Sequence, residues 1–222
     1  MNQPAERFEE DAEEVFGRAV RIAEAQLFAS VAPVSAEVLG RSLPAGVSVE
    51  AVLERLGAIY AERGVNLRKV AGGYAFRTAP DLAYLLASEA EPPRKLSRAA
   101  LEVLAIIAYH QPVTRADMED IRGVATAKGT LDILLEAGWV RLRGRRRSPG
   151  RPVTYGTTPG FLDHFGLDRI DDLPGLEELK GAGLLEGRVA RDLAVPTPDD
   201  DPGLREDEDP LGDLFTPLDE GG

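Results

Sequence analysis

Cysteine is absent from the 222 residues. Disulfides, thiolate zinc sites and thiol catalysis are therefore excluded, and a reducing compartment fits. Histidine occurs only at positions 110 and 164, and two isolated histidines do not make a zinc site. His110 ends an apolar segment beside Gln111-Pro112 and reads as structural. His164 adjoins Asp163, but neighbours on a helix point about 100° apart, so the two are no ready dyad. Long apolar runs are missing too: the longest, Val103–Tyr109, falls far short of the roughly 20 residues of a membrane helix. The first 14 residues hold no apolar core of a signal peptide. No Gly-Lys-Ser/Thr accompanies Gly72-Gly73, so there is no phosphate loop. With no nucleophile–base pair either, neither enzymatic activity nor a metal or cofactor is expected. A soluble cytoplasmic protein is.

Charge is abundant but uneven. The net charge is −12. Residues 1–14 carry −5 and residues 186–222 carry −9, so the acidity belongs to the ends and the middle is close to neutral. Within that middle, Arg141–Pro152 (RLRGRRRSPGRP) gathers six arginines and no acid. From Pro196 the chain is rich in Pro, Gly and Asp, a composition that cannot bury enough apolar area to offset backbone entropy, so disorder is expected. Inside it, Leu211, Leu214, Phe215 and Leu218 are either solvated apolar residues or a short motif that folds on a partner. The segment 87–95 (ASEAEPPRK) reads as a linker.

The two halves flanking that linker carry the same pattern. Val15, Ala19, Ile22, Ala23 and Leu27 give one amphipathic face, and Leu101, Leu104, Ala105 and Ala108 give another. Pro33-Val34-Ser35 matches Pro112-Val113-Thr114. In both, proline stops one helix and the hydroxyl residue caps the next. Thr114 with Asp117 is close to a capping box. A third helix follows, through Val49, Val52, Leu53, Leu56 and Ile59 in one half and Ala127, Leu131, Leu134 and Leu135 in the other. Gly64 and Gly138 stand where a left-handed cap would fall. Hairpins come next, one turning at Gly72-Gly73 and one with the arginine-rich tip. Helix, helix, helix, hairpin, found twice, predicts a mainly α protein with small β-wings: two tandem winged-helix domains. The expected boundaries are an acidic extension 1–14, a first domain 15–86, a linker 87–95, a second domain 96–167, its C-terminal extension 168–185, and an acidic disordered tail 186–222.

The strings LSRAALEVLAIIAYHQPVTRADMEDIRGV (96–124), GRPVTYGTTPGFLDHFGL (150–167) and DDLPGLEEL (171–179), with AEAQLFASVAPVSAEVL near the start, resemble the segregation and condensation protein B (ScpB) family. The resemblance spans roughly residues 20–180. It implies a non-enzymatic subunit of the bacterial SMC–kleisin complex. Such a subunit forms homodimers largely through its N-terminal winged helix and binds the kleisin subunit (ScpA). Through the kleisin it reaches the SMC ATPase. It supports chromosome condensation and segregation at the nucleoid, and its own DNA contact is weak. Met118 stands where an aliphatic residue is usual, and Ala125-Thr126-Ala127-Lys128 replaces a more polar turn.

The apolar residues Tyr109, Tyr155, Phe161, Leu162 and Phe165 are candidate kleisin contacts, though each also suits a core. Phe161, Leu162 and Phe165 share a helical face. Candidate DNA contacts are Lys128 and the arginines Arg141, Arg143, Arg145, Arg146, Arg147 and Arg151. Three readings of the arginine hairpin stay open: a non-specific DNA contact, a dock for an acidic segment (a partner's or this chain's own tail), or a solvated loop. The competing function is a dimeric winged-helix transcriptional regulator. Asp132 and Glu136 on the expected recognition helix disfavour it.

Overall fold

Hydroxyl side chains start most of the helices. A computed structural model describes residues 3–87, 96–175, 178, 198 and 203–211, with the side chains of 3–11, 86, 87 and 128 left aside. In it Ser35, Ser48, Ser97 and Thr114 each accept a hydrogen bond from an amide of the following first turn. These caps satisfy donors that the helix itself leaves unpaired. Among the described residues there are eight α-helices and two small antiparallel sheets. The chain divides into two compact units, Met1–Pro93 with Gly166–Asp168 and Arg94–Phe165 with Arg169–Gly222. The linker expected at 87–95 lies, from residue 88 on, outside the described residues.

The first unit contains α1 (Gln3–Ala29), α2 (Ala36–Gly40), α3 (Val49–Tyr60), β1 (Val65–Val70), β2 (Gly73–Thr78) and α4 (Ala83–Ala87). The acidic stretch from residue 3 onward is the opening of α1, not a separate element. Ala19 and Ala23 are fully buried and Leu27 nearly so, while Val15, at the margin of the expected face, is 40% exposed. They pack with Leu39, Val52 and Leu56, all inaccessible to solvent. Each such aliphatic side chain stabilises the fold by about 1.5–3 kcal/mol. Strands β1 and β2 pair from Val65↔Thr78 to Val70↔Gly73. The turn is therefore Ala71-Gly72, both at positive φ, one residue earlier than expected. Gly73 instead admits a close passage of backbone, since a Cβ there would lie 3.1 Å from Pro33 and Val34. Gly64 does not adopt the expected left-handed cap, because α3 already ends at Tyr60.

The second unit repeats the order: α5 (Arg98–His110), β3 (Val113–Thr114), α6 (Arg115–Arg122), α7 (Lys128–Glu136), β4 (Val140–Arg146), β5 (Val153–Thr157) and α8 (Pro159–Phe165). Gly138, after α7, does enter the left-handed region. The buried face of α5 is Ala100, Val103, Leu104, Ile107 and Ala108. That corrects the expected stripe, since Leu101 is 52% exposed and Ala105 also faces solvent. The stripe is rotated by one position because branched residues at 103 and 107 outweigh the alanine at 105.

One pairing recurs in both repeats. Val34 and Tyr74 exchange backbone hydrogen bonds of 2.9 Å in each direction. The matching Val113 pairs with Tyr155 across β3 and β5. In both units the residue after the motif's proline is pinned to the second hairpin strand, which fixes the cap that follows it.

The capping box at α6 is complete: the Asp117 amide donates to Thr114 Oγ1 at 3.2 Å, and the Thr114 amide donates to Asp117 Oδ2 at 2.9 Å. Arg146 Nη1 also donates to Asp117 Oδ2, at 2.8 Å. Burial works to raise the Asp117 pKa, but the hydrogen bonds with Thr114 and the Arg146 charge hold it below the usual carboxylate value. A depressed carboxylate pKa contributes stability above the unfolded value, near 4, which is lost as pH falls through the folded one. Acid titration is expected to lower the unfolding midpoint of the wild type more steeply below pH about 4 than that of Asp117→Asn. At neutral pH, Thr114→Ala is expected to cost about 1 kcal/mol in denaturant unfolding.

The disorder expected for 186–222 requires a correction over Gly203–Leu211. There the chain returns and forms β6 (Glu208–Pro210), the fourth strand of a sheet ordered β3-β5-β4-β6. Of the apolar tail motif, only Leu211 lies within the described residues. Its partners at 214, 215 and 218 lie outside them.

Candidate functional site

Strict alternation along Val140–Arg146 would put Arg141, Arg143 and Arg145 on one face. A bulge breaks this alternation after Arg143. Leu142 pairs with Tyr155 and Arg145 with Val153, so Arg143 and Gly144 together oppose Thr154. The extra residue resets the phase. Arg141 stays exposed and donates through Nε to Thr157 O at 3.2 Å. Arg143, on the same face, is covered by the returning tail, with 4% of its side chain exposed. Its stem crosses Gly156, where a Cβ would come within 2.7 Å of Arg143 Cδ.

The buried guanidinium meets the acidic tail. Arg143 Nη2 donates to Gly203 O and lies 3.5 Å from Glu208 Oε2. The Glu208 side chain is 1% exposed. Its carboxylate also accepts from Thr154 Oγ1 at 2.5 Å and from the Arg205 amide at 3.0 Å. A buried charge is tolerated only when paired and hydrogen-bonded, and this one is both.

A second tier lies outside. Asp209 bridges two guanidinium groups, accepting from Arg147 Nε and Arg151 Nη2 at 2.7 Å each. The hydrogen bond from Arg147, with the charges of Arg147 and Arg151 and the hydrogen bond from Arg151, holds the Asp209 pKa below the carboxylate range against the opposing push of burial. Arg146 Nε stands 4.0 Å from Asp207, and the Arg147 amide donates to Asp207 O at 2.7 Å. Arg145 Nη1 donates to Arg151 O at 3.1 Å. Arg151 sits at φ 41, a region costly for a residue with a Cβ. Its carbonyl and guanidinium are held by Arg145 and Asp209 respectively.

The structure thus separates the candidate DNA residues. Arg143, Arg146, Arg147 and Arg151 face the chain's own carboxylates. Arg141 and Arg145 are bonded to backbone carbonyls. Lys128 opens α7, and its side chain lies outside the described residues.

The candidate kleisin contacts are separated too. Phe161 is 3% exposed and belongs to the core, which removes it from the contact set. Leu162 is half-buried and Phe165 is 47% exposed. Tyr109 is half-buried and donates through Oη to Pro174 O at 2.7 Å. Burial, then the Glu178 charge, push its pKa up. Tyr155 is half-buried on β5, and burial pushes its pKa up as well. Around Phe165 stand Trp139 at 5.6 Å, Phe161 at 4.7 Å and His164 at 4.9 Å between ring centroids. Trp139 also packs on His164 at 4.3 Å. Sequence reasoning missed Trp139, the chain's one tryptophan. Its place at the head of β4, after the Gly138 cap, was the available signal. His110 is half-buried, and burial holds its pKa down. Among the described residues no group of three or more His, Cys, Asp or Glu is arranged to hold a metal, and no helix is long and apolar enough to cross a membrane.

Fold and site together define a duplicated helix-and-hairpin protein whose notable features are surfaces: a half-open aromatic cluster and a sheet edge filled by an acidic strand. Residues 21–176 match the family model of the segregation and condensation complex subunit ScpB, and the chain belongs to that family. It is 37% identical over 180 residues to a segregation and condensation protein B homolog of Coxiella burnetii, covering 78% of this chain and 86% of that one. It is 47% identical over 162 residues to segregation and condensation protein B of Moorella thermoacetica, covering 70% and 82%. The crystal structure of ScpB from Mycobacterium tuberculosis is 34% identical, covers 68% of this chain and 97% of that one, and superposes with a TM-score of 0.31.

Proposed function

We propose that the chain is a non-enzymatic subunit of the bacterial SMC–kleisin complex, acting in chromosome condensation and segregation at the nucleoid. In this reading each unit is a winged helix. The protein binds the kleisin subunit directly and the SMC ATPase through it. The observation that carries the proposal is the family match over residues 21–176. The repeated order of three helices, a Pro-Val pairing and a hairpin supports the winged-helix assignment. Co-purification with the kleisin and SMC subunits tests it. Retention of the kleisin is expected, and its absence at micromolar concentrations would sink the proposal.

The kleisin face we assign is the aromatic cluster around Phe165, with Leu162 and Trp139 beside it. Tyr109 and Tyr155 are weaker candidates because both are half-buried. For a homodimer, the first unit offers the better surface. Phe28 is 86% and Val31 99% exposed. Phe28 also borders a cavity of about 590 Å³ lined by Leu27, Tyr60, Val65 and Phe76. Exposed apolar area next to a concave apolar seat suits a self-complementary interface. Phe28→Glu is expected to leave the helical circular dichroism unchanged and to shift the mass from dimer to monomer in light scattering.

DNA contact is a minor part of this reading. Four hairpin arginines already face acids of the same chain. Helix α7 also exposes Asp132 and Glu136, which repel phosphate. Any DNA retention is expected to be weak, insensitive to sequence and lost with added salt. A transcriptional regulator would instead give a discrete footprint with fixed half-site spacing.

A further inference from the structure

We propose that the outer edge of β4 is a strand-addition site for an extended acidic segment of a partner protein, and that Glu208–Pro210 is its tethered competitor. This goes beyond the assembly reading above and stands or falls separately from it.

The edge is built to receive a strand. Gly144, in the middle of β4, leaves room that a side chain would fill: a Cβ there would lie 2.5 Å from Asp209 O and 2.8 Å from Leu204 Cδ2. A glycine inside a strand weakens it and marks close approach of another backbone. Next to it, Thr154 Oγ1 accepts from the Gly144 amide at 3.0 Å and donates to Glu208. Arg143 reaches the same carboxylate across Gly156. Two features of the hairpin, a hydroxyl and a buried cation, therefore converge on one carboxylate carried by an added strand, and a third, the missing side chain at Gly144, makes room for that strand's backbone.

The chain's own tail fills this site incompletely. Strand β4 spans seven residues, but β6 pairs only with Gly144, Arg145 and Arg146. Pro210 occupies the last paired position, opposite Gly144. Having no N–H, proline cannot carry a ladder onward. Beyond it Arg141 remains exposed and Leu142 is 39% exposed. A three-residue strand holds its place largely through tethering, since a linked segment acts at an effective concentration that a free one must exceed. A second copy's tail would make the same contacts without the tether, so it gains nothing. A partner segment gains if it places a Glu at the Glu208 position and an Asp next, then continues without proline along Val140–Arg143. Duplex phosphate is the poorer fit, because the Glu208 carboxylate lies in a slot, 1% exposed, between the strand and the Arg143 side chain.

The test uses the full chain. The probe is a fluorescein-labelled peptide of residues 203–212 carrying Pro210→Val, followed by anisotropy. Glu208→Gln with Asp209→Asn in the protein loosens the tail, and the probe is expected to bind this variant about tenfold more tightly than wild type, reflecting loss of the tethered competitor. Adding Gly144→Val, with circular dichroism unchanged, is expected to remove that binding. Should the double variant lose its fold, Asp209→Asn alone, at a half-buried carboxylate, is expected to give a smaller gain of the same sign. Equal affinity for wild type and variant overturns the proposal, as does equal binding of a scrambled peptide of the same composition. A short DNA duplex binding the variant as tightly as the probe overturns it too, and assigns the edge to phosphate.

Discussion

Phe161→Ala is expected to unfold the second unit, whereas Phe165→Glu is expected to leave it folded and unable to hold the kleisin. The two aromatic residues are one helical turn apart on α8, with ring centroids 4.7 Å from each other. Their exposures differ widely, 3% against 47%. Truncating a buried phenylalanine removes its transfer free energy and leaves a cavity, about 3–5 kcal/mol together. A loss of that size is a large share of a small domain's stability. At Phe165 one flank of the ring is wet, so a carboxylate can turn to solvent, and the expected cost in chemical denaturation is below about 1 kcal/mol. Pull-down with the kleisin subunit separates the two effects. If Phe165→Glu retains the kleisin at wild-type level, the aromatic cluster is not the contact. If Phe165→Glu unfolds the protein, its ring belongs to the core after all.

The second large effect is expected at Arg143. Arg143→Ala leaves the Glu208 carboxylate buried without its cation, and breaking a buried pair from one side costs about 3–5 kcal/mol. Three residues of strand cannot hold against that. The penalty is therefore relieved by release of β6 and not by global unfolding. Hydrogen exchange should report it directly: the Arg147 amide, which donates to Asp207 O at 2.7 Å, is expected to lose protection, while amides of α5 keep theirs. Replacing both partners, Arg143→Met with Glu208→Leu, removes the desolvation penalty along with the pair and is expected to keep β6 in place. If the single variant leaves Arg147 protected, the outer pairs of Asp209 with Arg147 and Arg151 carry the strand instead. Raising salt would then release it, because exposed pairs are screened.

Much of this protein was legible residue by residue. The hydroxyl caps at Ser35 and Thr114, the Thr114–Asp117 box, the Gly138 terminator and the doubled helix–hairpin order are local or periodic features. Each depends on neighbours within about one turn or on a repeating apolar spacing, and composition reports such things faithfully. The misses lie where local rules leave two solutions of similar energy. On α5 the apolar residues cover more than one stripe, and packing chose the face through Val103 and Ile107 and left Leu101 in water. In the first hairpin two glycines were available for the turn. The close passage of Pro33 and Val34 claimed Gly73 for the strand and left Ala71-Gly72 to bend.

The sequence by itself determined the duplicated modules, their caps and the segregation of acid to the ends, because these follow from short-range sterics and burial. Only the tertiary structure decided what the arginine hairpin touches. A one-residue bulge sets Arg143 and Gly144 together against Thr154, and a strand some sixty residues further along the chain covers Arg143 and delivers Glu208 to meet it. Neither event is written in any window of the sequence. Register and long-range strand pairing are settled by complementarity between distant segments, here a threonine hydroxyl and a buried cation fitted to one carboxylate and a glycine gap fitted to the backbone beside it.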